Sequence, residues 1–159
     1  ACSKTGVSSL IGQTEGTIFV DFQYNQPTSD INGRLLQLWE TRDSTNSILP
    51  FIYQNNQLQI SFFNSSSGGA AVIPASASTL IGFGHNKIAI AYTSTSVVVY
   101  RNGVLFASGN PTGFFPDSLT SLDLGNNSFS SRNLCNPINQ ATLFKERLSN
   151  AELATLTTI

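Results

Sequence analysis

Ionic side chains are scarce in this sequence. Asp, Glu, Lys and Arg make up 11% of its 159 residues, against about 25% in an average soluble domain. Ser, Thr, Asn and Gln supply 59 residues instead, so we expect a surface built mainly of neutral hydrogen-bonding groups. The formal net charge of -1 gives no electrostatic footprint for nucleic acid or for an anionic membrane. A partner rich in hydroxyl groups suits such a surface.

Long apolar runs, histidine and cysteine are also missing or rare. No apolar run approaches the ~20 residues needed to cross a bilayer, and no signal peptide is visible, so we expect no membrane insertion. His85 is the only histidine, and Cys2 and Cys135 are the only cysteines. A zinc site or redox motif needs more ligands at closer spacing, so we predict no metal and no cofactor. The cysteines form either a disulfide or two free buried thiols, depending on the compartment.

The acidic residues do not show the pattern of a glycan hydrolase, which places a pair of carboxylates around the scissile bond. Glu40 and Asp43 come nearest to a cluster, but they lack the Glu-x-Asp-x-x-Glu spacing that would align several acids on one strand face. His85 accompanies no nucleophile motif such as G-x-S-x-G, so we interpret it as a hydrogen-bonding strand residue. We therefore predict no catalytic residues and no enzyme.

Alternation of apolar and polar residues with a period of two is the dominant pattern that is present, and it predicts half-buried strands. Asn102-Gly103 predicts a tight hairpin turn because both positions tolerate positive φ, which makes 87–107 an antiparallel meander. The predicted strands are 17–24, 34–40, 47–53, 57–63, 71–73, 87–92, 97–101, 104–107, 121–124 and 138–144. The predicted shared core is Ile18, Val20, Phe22, Leu36, Leu38, Leu58, Ile60, Ile88, Ile90, Val97 and Val99.

A short helical turn is predicted near the end of the chain. Ser149 can cap it, and Glu152, three residues on, completes a capping box before Leu153 and Leu156. Many short strands with turn signals between them are typical of an all-β sandwich. We predict one such domain over residues 1–159.

The order of these features resembles the concanavalin A-like and laminin-G-like jelly rolls. The hairpin Tyr100-Arg101-Asn102-Gly103 matches a "Y-x-N-G" pattern common in that family. The other matching segments are GTIFVDF (16–22), RLLQLWE (34–40), QLQISFF (57–63), SLDLGNN (121–127) and ATLFKERLSNAELATL (141–156). The resemblance covers most of the chain and implies a two-sheet antiparallel jelly-roll sandwich.

A narrower resemblance concerns the two ends of the sequence. SLIGQTEGTIFVDF (9–22) and KERLSNAELATLTTI (145–159) are similar to the terminal domains of bacteriophage tail fibres and tailspikes. That resemblance implies a non-catalytic carboxy-terminal module in a homotrimer on the virion tail, where it meets a host cell-surface glycan. Outside a phage, the same composition suits a secreted or cell-surface protein.

Trp39 leads the candidate ligand site. If its strand alternates without interruption, Trp39 shares a face with Gln37 and lies opposite Leu36 and Leu38. Sugars stack their C–H faces on aromatic rings, while their hydroxyls bind amides and carboxylates. The alternative is that Trp39 belongs to the core. The predicted carbohydrate-binding residues are Trp39, Gln37, Arg42, Asp43 and Gln59.

Phe114 and Phe115 lie in a predicted loop, where two rings need a place to pack. They plug one end of the sandwich, form a subunit contact, or line a ligand site, and we retain the subunit contact as a prediction. The sequence therefore favours a lectin-like recognition module. A structural trimerisation or capping domain is the rival, and a glycan hydrolase of the same fold is a third hypothesis.

Overall fold

The computed structural model describes residues 2–25, 36–37, 39–43, 45–53, 56–116, 118–125 and 137–159. Within them the chain forms twelve strands and one α-helix. In chain order these are β1 (Cys2–Thr5), β2 (Glu15–Tyr24), β3 (Leu36–Gln37), β4 (Trp39–Arg42), β5 (Ser47–Tyr53), β6 (Gln57–Asn64), β7 (Gly68–Ile73), β8 (Gly84–Thr93), β9 (Val97–Arg101), β10 (Val104–Gly109), β11 (Ser121–Leu124), β12 (Ile138–Phe144) and α1 (Asn150–Thr157). Among these residues no helix is long and apolar enough to cross a membrane.

The strands form two antiparallel sheets that face each other. One sheet has the order β1-β11-β4-β5-β6-β7, with β3 also paired to β5, and the other has the order β10-β9-β8-β2-β12. We call them the seven-stranded and the five-stranded sheet. Strands that are neighbours in space but distant in sequence, such as β2 and β12, are typical of a jelly roll. The predicted two-sheet antiparallel jelly-roll sandwich is confirmed.

The core lies between the two sheets, where the alternation predicts it. Nine of the eleven predicted core residues lie in one buried cluster, and the side chains of the other two, Leu36 and Leu38, fall outside the described residues. The backbone of Leu36 is paired with Ile52, which is fully buried. The confirmed residues are Ile18, Val20, Phe22, Leu58, Ile60, Ile88, Ile90, Val97 and Val99.

The predicted meander is confirmed as β8, β9 and β10, which are antiparallel neighbours. Asn102 and Gly103 both have positive φ, at 50° and 83°, as a tight two-residue hairpin requires. His85 is confirmed as a hydrogen-bonding strand residue of β8. Its Nε2 lies 2.8 Å from Oδ1 of Asp21 on β2, and the same oxygen accepts a hydrogen bond of 2.8 Å from the side-chain amide of Asn139.

The predicted helical turn is confirmed as α1, with its capping box in place. The Ser149 hydroxyl accepts a hydrogen bond from the Glu152 amide, and the Glu152 carboxylate accepts one of 2.7 Å from the Ser149 amide. The carboxylate also accepts a hydrogen bond of 2.6 Å from the Ser149 hydroxyl, and this bond, together with that from the Ser149 amide, lowers the pKa of Glu152. Leu153 of α1 is fully buried in a second cluster with Phe19, Ala89 and Ala91. The helix therefore covers the outer face of the five-stranded sheet.

Candidate functional site

The outer face of the seven-stranded sheet carries polar residues of β6. Leu58, Ile60 and Phe62 point into the core, so the alternate positions Gln59 and Ser61 belong to the other face. The Gln59 amide donates a hydrogen bond of 3.0 Å to the Ser61 hydroxyl. These residues begin a stripe of hydrogen-bonding groups that runs along β6.

Two of the predicted site positions share a row across this face. Gln37 is paired with Phe51, and Phe51 is paired with Gln59. Directly opposed positions on antiparallel strands lie on the same face of a sheet. The structure therefore brings the Gln37 and Gln59 positions onto one face, on either side of the buried Phe51.

Phe63 ends the stripe on β6, and sequence reasoning did not single it out. Its side chain is 37% exposed, and it lies against β7, where a Cβ atom on Gly69 would come within 2.1 Å of its ring. Only glycine leaves room for the ring at that position. The alternation along β6 could have identified it, because alternation puts Phe63 on the same face as Gln59 and on the opposite face from Phe62.

Arg42 is in the same row as Phe63. The backbone of Arg42 is paired with Ser47, and Ser47 is paired with Phe63. A row that contains an arginine position and an exposed aromatic ring thus lies near the row of Gln37 and Gln59. The described side chains of β6 put an amide, a hydroxyl and an aromatic ring on the outer face.

Trp39 does not share the alternation of Gln37, which corrects the prediction of one uninterrupted strand. Gln37 is paired with Phe51 and Thr41 with Ile48, so four steps along one strand match three along the other. One extra residue in a strand is a β-bulge, and it reverses the alternation beyond it. The backbone of Trp39 is paired with Leu124, whose side chain packs against the core. The side chain of Trp39 lies outside the described residues.

Asp43 organises the turn between β4 and β5. Its Oδ1 accepts hydrogen bonds from the amides of Thr45 (2.8 Å) and Asn46 (2.7 Å). Its Oδ2 accepts one of 3.0 Å from the Asn46 side chain and another from the Ser118 hydroxyl. Burial alone would raise the pKa of Asp43, but these hydrogen bonds hold it well below its ordinary value. A carboxylate has about four acceptor positions, and here all four have partners within the chain.

The turn at Asp43 is joined to two further loops at this end of the sandwich. The Asn46 side-chain oxygen accepts a hydrogen bond of 3.0 Å from the Ser65 amide. The Asn64 side chain donates one of 2.6 Å to the Phe115 carbonyl oxygen. We call Asp43, Asn46, Asn64, Ser65 and Ser118 the polar hub. It links the turn before β5 and the turn after β6 to the loop that precedes β11.

Phe115 plugs this end of the sandwich, as one of the sequence alternatives predicts. Its ring centroid lies 5.9 Å from that of Phe62 and 6.2 Å from that of Tyr92. Phe114 is also partly buried against the main core. Burial raises the pKa of Tyr92, whose hydroxyl donates a hydrogen bond of 2.9 Å to the Gly12 carbonyl. A contact of Phe114 and Phe115 with another subunit stays a prediction.

Two acidic positions meet on the outer face, although they are far apart in the sequence. Asp123 on β11 is paired with Glu40 on β4, and Asp123 is 2% exposed. Its neighbours Leu122 and Leu124 pack against the core, so Asp123 lies on the opposite face. Opposed positions on antiparallel strands have Cβ atoms about 4.5–5.5 Å apart. Sequence spacing could not reveal this pair, because β4 and β11 become neighbours only in the folded sheet.

The fold of this chain is similar to that of several solved structures. No family model matches the sequence, and no curated protein matches it. The CBM40 carbohydrate-binding module of the IT-sialidase of Ruminococcus gnavus, bound to α2,3-sialyllactose, has a TM-score of 0.66 at 14% identity, over 93% of this chain and 84% of that one. Domain 4 of an arabinanase from Geobacillus stearothermophilus, in complex with arabinotriose, has a TM-score of 0.66 at 17% identity, over 94% and 69%.

A heptameric pentraxin from Limulus polyphemus has the same architecture. Its TM-score is 0.63 at 10% identity, over 94% of this chain and 72% of that one. At these identities the likeness establishes the fold. It supports the expected concanavalin A-like jelly roll, and what each neighbour binds is a property of that neighbour.

Proposed function

We propose that this protein is a non-catalytic carbohydrate-recognition module that binds a glycan across the outer face of the seven-stranded sheet. The observation that carries the proposal is Phe63, an exposed ring held in place by Gly69 at the end of a stripe of polar residues. Aromatic rings stack on the C–H faces of sugars, and amides and hydroxyls bind sugar hydroxyls. The fold neighbours that carry saccharides support the same class of ligand.

The spacing of the stripe favours an extended oligosaccharide over a single sugar. Gln59, Ser61 and Phe63 occupy alternate positions of β6 and span about 13–14 Å at 3.3–3.4 Å per residue. Ser61 is 5% exposed, so Gln59 and Phe63 are the two members that reach the surface. The Gln37 and Arg42 positions lie two strands away from β6, in the rows of Gln59 and Phe63. In this proposal Asp43 positions the adjoining turn, and a role for Trp39 in binding stays a prediction.

We further propose that the module is the receptor-binding terminal domain of a phage tail fibre or tailspike that contacts host surface polysaccharide. The similarity of segments 9–22 and 145–159 to such domains and the uncharged, hydroxyl-rich composition support this context. A homotrimer with Phe114 and Phe115 at the subunit contact would place three sites on one particle. Several weak sites that engage one surface give strong avidity without any tight single site.

A glycan array on the purified protein tests the proposal, followed by affinity measurements on its best ligand. Phe63→Ala should weaken binding by about tenfold or more, which is the equivalent of roughly 1.4 kcal/mol. Leu105→Ala is the matched control, because Leu105 is also an exposed apolar residue, at 58%, but lies on β10 of the other sheet. Trp39→Ala, with a thermal melt beside it, decides whether Trp39 acts in binding or in the core.

The rival hypothesis is a structural trimerisation or capping domain without a ligand. It predicts an empty glycan array and a stable trimer in sedimentation experiments. Binding that is lost in both Phe63→Ala and Leu105→Ala would also contradict the proposed face, since only one of them lies on it.

A glycan hydrolase is a second candidate function because Glu40 and Asp123 are paired across β4 and β11. Glycoside hydrolysis needs two carboxyl groups that flank the scissile bond, and the 2% exposure of Asp123 makes this function the weaker candidate. Incubation of the best array ligand with the protein should leave the ligand intact if the module is non-catalytic. Cleavage that disappears in both Glu40→Gln and Asp123→Asn would instead establish the hydrolase.

A further inference from the structure

Phe83 is an exposed aromatic ring at the far end of the molecule from the polar hub. It precedes β8, and 61% of its surface is accessible. The ring stacks on Tyr24 with a centroid distance of 5.3 Å and an interplanar angle of 18°. Tyr24 is fully buried, and its hydroxyl donates a hydrogen bond of 2.7 Å to the Asn56 side chain. One face of Phe83 is thereby fixed against the protein.

The backbone on both sides of Phe83 is clamped by a single buried amide. The Asn86 side chain, which is 0% exposed, donates hydrogen bonds of 2.9 Å to the Gly82 carbonyl and 3.0 Å to the Gly84 carbonyl. Gly84 has φ of 97°, a conformation that glycine adopts readily and other residues rarely do. The ring is thus held in one place before any ligand arrives, which lowers the entropic cost of binding.

Arg101 lies beside this loop without an anionic partner. Its Nε donates a hydrogen bond of 2.7 Å to the Asn86 side-chain oxygen, and its Nη1 donates one of 3.2 Å to the Leu80 carbonyl. Its Nη2 lies 3.1 Å from the place where a Cβ on Gly82 would sit. No carboxylate of the described residues lies within ion-pair distance of Arg101, and Nη2 donates no hydrogen bond to any of them.

Partial burial makes the unpaired charge costly. Desolvation lowers the pKa of Arg101, yet a guanidinium stays protonated in proteins. Its partners are two neutral oxygens and the face of Phe106, whose ring centroid lies 5.5 Å from Cζ of Arg101. The charge is therefore compensated by neutral groups alone. An anionic group at Nη2 would supply the missing partner with a charge-assisted hydrogen bond.

We propose that Phe83 and Arg101 form a second binding site, for an acidic saccharide. A uronic acid carries an apolar ring face and a carboxylate on the same pyranose, so it can stack on Phe83 while its carboxylate accepts from Nη2 of Arg101. Leu80, 47% exposed, adds apolar surface beside the guanidinium. A neutral sugar would leave the guanidinium unpaired.

This site is separate from the proposed sheet-face site. Leu80 is bridged to Gln57 at the start of β6, and Phe63 lies six residues further along the same strand. At about 3.3 Å per residue the two regions are roughly 20 Å apart. A variant at one site can therefore be used as a control for the other.

The test is a calorimetric titration of the whole protein with tetragalacturonate and with its fully methyl-esterified form, which removes the charge and keeps the ring. We expect the acid to bind at least about tenfold more tightly than the ester, and the preference to decline with added salt. Phe83→Ala should weaken the acid by about tenfold. Arg101→Gln should reduce the acid-to-ester ratio to about one, and Arg101→Lys should lose most of the preference because a lysine lacks the planar fork.

Lys145→Gln and Phe63→Ala are the controls, and neither should change the preference for the acid. Lys145 is an exposed cation in a different part of the chain, so an effect there would reveal non-specific charge attraction and overturn the site. Equal affinity for acid and ester, an affinity for the acid that is unchanged in Phe83→Ala, or a preference that survives in Arg101→Lys would also overturn it, provided that the variant's melting temperature is unchanged. If Phe63→Ala abolishes the preference for the acid, acid recognition belongs to the sheet face. If Phe63→Ala abolishes only the binding of a neutral glycan, the result concerns the proposed function and leaves the second site supported.

Discussion

The outer faces of the two sheets differ in how their residues are used. On the five-stranded sheet, Ala89 and Ala91 of β8 are small enough for α1 to approach, and Leu153 packs there with no exposed surface. On the seven-stranded sheet, the corresponding positions of β6 are Gln59 and Ser61, followed by the exposed ring of Phe63. The first set of residues makes a second small core, whereas the half-buried Gln59 and the exposed ring of Phe63 offer groups that suit a ligand.

The two regions are also stabilised by different physical means. Burial of apolar surface holds α1 on its sheet, and each fully buried aliphatic side chain contributes about 1.5–3 kcal/mol. The turns that flank β5 and β6 depend instead on the polar hub, in which Asp43 and Asn46 connect three loops. Substitutions under α1 should therefore lower the free energy of unfolding by leaving a cavity. For substitutions at Asp43 in the polar hub, the loss of free energy of unfolding should depend on pH.

The largest effect is expected at the helix-covered face. Leu153→Ala should lower the free energy of unfolding by about 2–5 kcal/mol, because it leaves a cavity under α1. Urea denaturation followed by circular dichroism measures the change. Leu105→Ala, at an exposed position of β10 in the same sheet, is the control and should cost far less. Equal losses in the two variants would show that α1 does not form a core with the sheet.

The strands of both sheets were largely predictable from the sequence, because the alternation of apolar and polar residues is a local signal. The segments 97–101, 121–124 and 138–144 coincide with β9, β11 and β12. The shift of register between β3 and β4 was not predictable, since it is defined by their pairing with β5 and does not alter the pattern of apolar and polar residues. β1 was missed for a related reason. Its sequence, CSKT, has no apolar alternation, and it is a strand because β11 offers it a free edge.

The candidate site was predicted in part, and the parts that failed depend on long-range pairing. Gln37 and Gln59 were expected on one face, and the register puts both positions in one row with Phe51. Phe63 could have been found from the phase of β6 alone. The pairing of Glu40 with Asp123 and the clamp of Asn86 on the loop of Phe83 required the topology, which the sequence does not encode locally.

The next largest effect is expected at the polar hub. Asp43→Asn removes the charge from four hydrogen bonds and should cost about 1–3 kcal/mol at neutral pH. Since the folded pKa of Asp43 is depressed, its contribution is complete above the ordinary pKa of about 3.9 and is lost as the pH falls below it. Urea titrations of wild type and Asp43→Asn at pH 7 and pH 3 should therefore show a smaller difference at pH 3. A difference that does not change with pH would contradict the proposed role of the carboxylate.

A smaller effect is expected at the start of α1. Ser149→Ala removes the side chain that caps the helix and should cost about 1 kcal/mol. Ser149→Asp restores an acceptor at the cap and serves as the matched control, with stability close to that of the wild type. Thermal melts of the three proteins measure the order. If alanine and aspartate behave alike, the capping box contributes little and packing of Leu153 alone holds the helix.

The smallest effect on stability is expected at Phe63, on the outer face of the seven-stranded sheet, and it separates binding from folding. Phe63 is partly exposed and rests on Gly69, so Phe63→Ala should lower the free energy of unfolding by less than about 1.5 kcal/mol, below the range for a fully buried ring. Its loss should nevertheless remove a stacking surface for sugar, so affinity should drop while the melting temperature is nearly unchanged. Phe62→Ala is the matched control, because the adjacent ring is fully buried and its loss should cost about 3–5 kcal/mol. If Phe63→Ala destabilises the protein as much as Phe62→Ala, the ring of Phe63 stabilises the fold and is not available to a ligand. The outer faces of both sheets would then be covered by packing.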